Sequence, residues 1–165
     1  MKAVVGALLA GIMAAVPVGT VLAQTASYQT AAGFFEIKPK GNDGHCRALF
    51  AGKVVRSFEC KSASTPKIIA HYPFGIGKYA DVVVIQEQPM GNACNGGSLH
   101  LLGVEKTGEH SITAPIDFCG GQDPVVDKKG AKILLTFPGG PSSRGSGNAP
   151  TVVWEYSEGT LVRTK

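Results

Sequence analysis

The stretch YADVVVIQEQ, residues 79–88, decides the fold. Val82, Val83, Val84 and Ile85 are apolar at every successive position. Side chains alternate faces along a strand, so an unbroken apolar run requires both faces to be covered. The stretch is therefore expected in the centre of a sheet or between two layers. AKILLTF, 131–137, has the same character around Ile133, Leu134 and Leu135. TVVWEYSEGTLVR, 151–163, is expected to form a hairpin whose Trp154 anchors the core face.

The pattern continues outward in both directions. Further strands are expected at 34–38, 46–50, 53–60, 67–72, 98–105, 110–116 and 125–127, with the central and C-terminal ones at 80–88, 131–137, 151–156 and 160–163. Turn residues separate them, among them Gly41-Asn42-Asp43-Gly44, Lys106-Thr107-Gly108, Lys128-Lys129-Gly130 and Ser157-Glu158-Gly159. Beyond the leader, no window of about twelve residues carries helical apolar spacing without Gly or Pro. The expected class is all-β: a single small domain of short antiparallel strands, as a meander, sandwich or barrel.

The first residues, MKAVVGALLAGIMAAVPVGTVLA, read as a secretory signal peptide. Lys2 supplies the positive end, an apolar run follows, and Val21-Leu22-Ala23 fits a cleavage site, placing the cut after Ala23. The run is short for a membrane span, which needs roughly 20 apolar residues, and no later stretch is long and apolar enough to cross a bilayer. The domain organisation expected is a leader at 1–23, a loose N-terminus at 24–33, and an all-β domain at 34–165 with a flexible Gly-, Pro- and Ser-rich loop at 138–150. The implied location is periplasmic or secreted, in a bacterial setting.

The four cysteines are Cys46, Cys60, Cys94 and Cys119. In an exported chain they read as two disulfides, with the sequential pairs Cys46–Cys60 and Cys94–Cys119 favoured. Strand alternation constrains the first pair. Around a tight Ala51-Gly52 turn, Cys46 faces Ser57 and Cys60 points to the opposite side. The pair therefore requires a three-residue loop or a bulge. No C-x-x-C pair suggests zinc, and no metal or cofactor is expected.

Formal charge is +4, falling by one with loss of Lys2, and the basic residues are scattered. Nucleic-acid binding wants a clustered basic stripe with aromatics, which is absent. Gly-x-Ser-x-Gly is absent, and GIGK, 75–78, lacks the rest of a phosphate loop. Cys94-Asn95-Gly96-Gly97 resembles a disulfide-bearing segment of papain-like cysteine proteases, but that family's C-G-x-C-[WY] nucleophile segment is missing, and no role is carried over.

His100 and Asp117 are the candidate functional residues. His100, between Leu99 and Leu101, is expected on the opposite face from both, towards solvent or partly covered. The acids Asp81, Glu87, Asp117 and Asp123 read as solvated strand ends, with Asp117, beside Phe118 and Cys119, the one expected to be partly buried. The absence of a catalytic constellation points to a non-enzymatic domain that binds a protein or cell-envelope component. Two alternatives stand beside it: a small hydrolase using carboxylates or a histidine, and a structural envelope protein.

Overall fold

The computed structural model describes residues 27–73, 75–89, 97–117, 123–141 and 148–165. The first sheet is the antiparallel meander β1 (Ser27–Thr30), β2 (Gly33–Lys38), β3 (His45–Phe50) and β4 (Lys53–Glu59). The second is β5 (Ala63–Tyr72), β6 (Asp81–Pro89), β7 (Leu99–Val104) and β8 (His110–Ile112), also in sequential order. The third holds β9 (Val125–Lys129), β10 (Lys132–Phe137), β13 (Val152–Ser157) and β14 (Thr160–Arg163), in spatial order β14-β13-β10-β9. Between β10 and β13, the two-residue strands β11 (Gly140–Pro141) and β12 (Asn148–Ala149) pair with each other. No helix occurs among the described residues, and the all-β class holds.

The second sheet lies between the other two. Val82, Val84, Leu99 and Leu101 pack with Ile133, Leu135, Phe137 and Tyr156 of the third sheet. On the other face, Val83, Ile85, Leu102 and Val104 pack with Phe35, Ile37, Ala48, Phe50 and Phe58 of the first. Val82 to Ile85 have no exposed surface, as the unbroken apolar run requires. Each such side chain contributes about 1.5–3 kcal/mol by burial. Strand β10 differs from its expected doubly covered character. Ile133, Leu135 and Phe137 are buried while Leu134 and Thr136 are only half-buried, because β10 belongs to an outer sheet with one free face. Trp154 lies on the core face, but only partly buried; Tyr156, two residues on, is the enclosed anchor.

The first sheet resolves the cysteine geometry. The β3–β4 turn is tight, Ala51 (φ 48°) and Gly52 (φ 77°) being left-handed, as a two-residue hairpin requires. A register shift follows: Leu49 faces Val54 but Ala48 faces Arg56, leaving Val55 as an extra residue. This bulge puts Cys46 opposite Phe58 and brings Cys60 onto the same side. Cys46 and Cys60 form a disulfide with Cα atoms 5.8 Å apart, both buried. Cys94 and Cys119, the other expected pair, lie outside the described residues.

Described parts of two segments expected to be irregular hold short strands. Within 24–33, taken as loose, residues Ser27–Thr30 form β1. Thr30 donates to the Gly33 carbonyl at 2.6 Å and closes the turn into β2. Its local hydroxyl chemistry leaves no apolar signature to read. Within 138–150, the β11–β12 pairing closes the base of the loop, and Thr151 donates to the Pro138 carbonyl at 2.8 Å.

Candidate functional site: a polar cleft on the central sheet

The two sequence candidates lie at one end of the central sheet, each with a different partner. Strand β7 is covered on both faces, so the side of His100 away from the leucines is a second core rather than solvent. His100 has no exposed surface, which corrects the expected position. Its Nε2 lies 2.6 Å from Glu87 Oε1, and Phe58 meets the ring edge-on at 5.5 Å between centroids. Nδ1 has no partner and is buried. A proton on Nε2 lets the ring donate to the Glu87 carboxylate.

Asp117 is exposed, contrary to its expected partial burial, and accepts a hydrogen bond from Ser98 Oγ at 2.8 Å. Backbone bonds set Glu87 against Ser98, and the Leu99–Ile116 bridge sets Ser98 against Asp117. Glu87, Ser98 and Asp117 therefore form a row across three chain segments, on the face that carries His100. The backbones bearing the two carboxylates stand two strand spacings, about 10 Å, apart.

The buried acid is Asp81, at 2% exposure. Its Oδ2 accepts from the Ala31 amide at 2.7 Å, and its Oδ1 lies 3.1 Å from His71 Nε2. Tyr28 of β1 packs on the His71 ring at 4.6 Å. A strand-end acid is solvated by default; this one is enclosed because the β1–β2 turn closes over it. By alternation, Asp81 and Glu87 point to the same face of β6 as Val83 and Ile85. The contact between the first two sheets is thus bordered at each end by a histidine–carboxylate pair.

The accessible chemistry lies elsewhere. Residues 75–79 make a tight turn closed by reciprocal hydrogen bonds between Ile76 and Tyr79. GIGK is thus a turn into the central sheet, with Ile76 and Tyr79 buried beneath it. Opposite stands the β7–β8 hairpin, in which Gly108 is left-handed (φ 89°). Between them lies a cleft of about 560 Å³ lined by Lys78, Tyr79, Glu105, Thr107, Glu109 and Ser111, among others. A second depression of about 510 Å³ adjoins it across Lys78, Tyr79, Glu105 and Thr107. Both fall within the range of small-ligand sites.

The cleft walls are held by their own contacts. Lys78 Nζ lies 2.6 Å from Glu105 Oε1 and 5.2 Å from the centroid of the Tyr79 ring. The hydrogen bond to Glu105 pushes the lysine above its ordinary value, so it remains an ammonium. Tyr79 OH lies 2.6 Å from Ser111 Oγ. Behind them Tyr156 stacks on Tyr79 at 6.3 Å. Burial first, and then the neighbouring Tyr79, push the Tyr156 phenol far up. Gly103 permits this stack, since a Cβ there would lie 2.7 Å from Tyr156 OH and 2.8 Å from the Tyr79 ring. The sequence did not single out these residues; the only signal was GIGKY beside a strand, and the hydroxyl partners come from segments distant in the chain.

Among the described residues, no group of three or more His, Cys, Asp or Glu side chains could hold a metal ion, and no helix is long and apolar enough to cross a membrane. No family model, curated protein or solved structure matches the chain, so the cleft's chemistry has to be argued from its own residues.

Proposed function

We propose that the protein is an exported, non-enzymatic binding domain for a cell-envelope component or a protein met outside the cytoplasm, and that the cleft between residues 75–79 and the β7–β8 hairpin is its contact surface. The observation that carries this reading is the cleft itself. Lys78 with Glu105, and Tyr79 with Ser111, are already held by mutual contacts, so little ordering cost falls on these groups in binding. The leader-like segment at 1–23 supports export. The buried Cys46–Cys60 bridge suits an oxidising compartment.

The test is retention of envelope extract by immobilised protein, with Glu109→Gln as the cleft variant. Glu109 is exposed and makes no side-chain contact that the fold needs. Material held by the wild type should be lost by the variant; equal retention by both would reject the cleft as the contact surface.

Hydrolysis is the second reading, favoured by the row Glu87–Ser98–Asp117. We place it second because His100, the group that would serve as base, is sealed from solvent. New reducing ends or released acids that vanish in Glu87→Gln would reverse this order.

A further inference from the structure

We infer that the cleft takes a neutral, polyhydroxylated ligand, a short oligosaccharide, and that Ser111 is the outer end of a hydroxyl chain that receives it. This inference rests on the reading of the cleft as the binding surface. Three hydroxyls lie along this wall: Tyr156 OH over Gly103, Tyr79 OH beside Gly159, and Ser111 Oγ, bonded to Tyr79 OH and on the strand position paired with Gly103. Tyr156 OH lies near the Tyr79 hydroxyl but has no partner in hydrogen-bond geometry.

Each hydroxyl brings one hydrogen and two lone pairs. The joined part of this chain, Tyr79–Ser111, uses one hydrogen between its members, so one hydrogen and several lone pairs remain for another molecule. The inner end is closed, Tyr156 and Tyr79 being buried, whereas Ser111 is exposed and lines the cleft. A bound hydroxyl at Ser111 can accept or donate, and the chain reorients to match.

The remaining lining selects the ligand class. Glu105 and Glu109 accept, Lys78 donates, and Thr107 does both. A sugar hydroxyl needs a donor and an acceptor side by side, and these walls alternate them. Across both depressions, Lys78 and Lys106 balance Glu105 and Glu109. A polyanion would meet the two carboxylates, and a polycation the two lysines. In the first depression an apolar ligand finds little to cover, since the Tyr79 ring is already buried; the adjoining one is more apolar, with Ala31, Pro73 and Ala80 in its lining. An added peptide strand finds only β8, whose three residues offer a short edge.

The experiment is saturation-transfer NMR on the exported, unreduced protein with four probes: chitotetraose, maltotetraose, cellotetraose and mannotetraose. Amide shifts are recorded alongside, and a sulfated polysaccharide and an extended peptide serve as controls. At least one neutral probe should bind and shift the Thr107 and Ser111 amides. Ser111→Ala should weaken that probe about tenfold, and Glu109→Gln likewise, the latter with unchanged thermal unfolding. The amide map on the wild type keeps the inference testable if Ser111→Ala fails to fold.

No transfer to any neutral probe up to about 10 mM would overturn the inference, as would stronger binding of the sulfated control or of the peptide at β8. Cleft-dependent retention of envelope material in that case would sink the saccharide while leaving the binding domain standing. Loss of both would sink both.

Discussion

At the residue scale, the decisive side chains are polar groups that the fold encloses. Asp81 is fixed by one backbone amide and one histidine, and its removal from water is tolerated because both oxygens are bonded. Asp81→Asn keeps the shape but removes the charge and one acceptor. It is expected to cost about 3 kcal/mol in urea unfolding; a cost indistinguishable from zero would show that the pair with His71 carries no weight. The tyrosines give a pH dependence. Burial pushes the Tyr72 phenol up, and the Tyr156 phenol further. Both folded-state values lie above the unfolded one, near 10.0. Their contribution is therefore complete below pH 10.0 and declines as pH rises beyond it, since the unfolded chain sheds those protons first. Alkaline unfolding followed by phenolate absorbance should show this decline, and Tyr156→Phe should reduce it. An identical profile in the variant would remove Tyr156 as its source.

At the scale of elements, the β3–β4 hairpin shows how a covalent link depends on a single extra residue. Alternation alone forbids Cys46–Cys60 across a two-residue turn. The structure keeps that turn and meets the constraint with the Val55 bulge instead. The bridge closes a separation of 14 residues, for which chain entropy gives about 3 kcal/mol. Replacing both cysteines by alanine should lower stability by about that amount in denaturant unfolding, with the β-rich circular dichroism retained. No loss of stability would mean that burial of Cys46 and Cys60, rather than the bond, secures the hairpin. Strand positions were legible because turn glycines punctuate the chain. Among the exceptions, β11 and β12 are two-residue pairings in the Gly- and Pro-rich segment, and β1 is held by Thr30 hydroxyl contacts and by Asp81 reaching the Ala31 amide, none of which has an apolar period to read.

For the whole molecule, three meanders stack so that the central sheet serves two cores. This arrangement explains the misplacement of His100. His100 was expected near solvent because a polar residue between leucines reads as the outward face of a half-buried strand, and in a central layer there is no outward face. Asp117 was expected to be sheltered by its apolar neighbours, yet it stands exposed at the end of the row with Ser98. The cleft was not legible either. Its walls come from residues 75–79 and 105–111, and its floor is backed by Tyr156 from the third sheet. The sequence by itself determined the all-β class, most of the strands, the doubly covered centre at Val82–Ile85 and the need for either a three-residue loop or a bulge before Cys60, because each follows from local periodicity and side-chain alternation. Only the tertiary structure decided which polar groups are enclosed and which meet in a cleft, because both depend on contacts between sheets that no local pattern encodes.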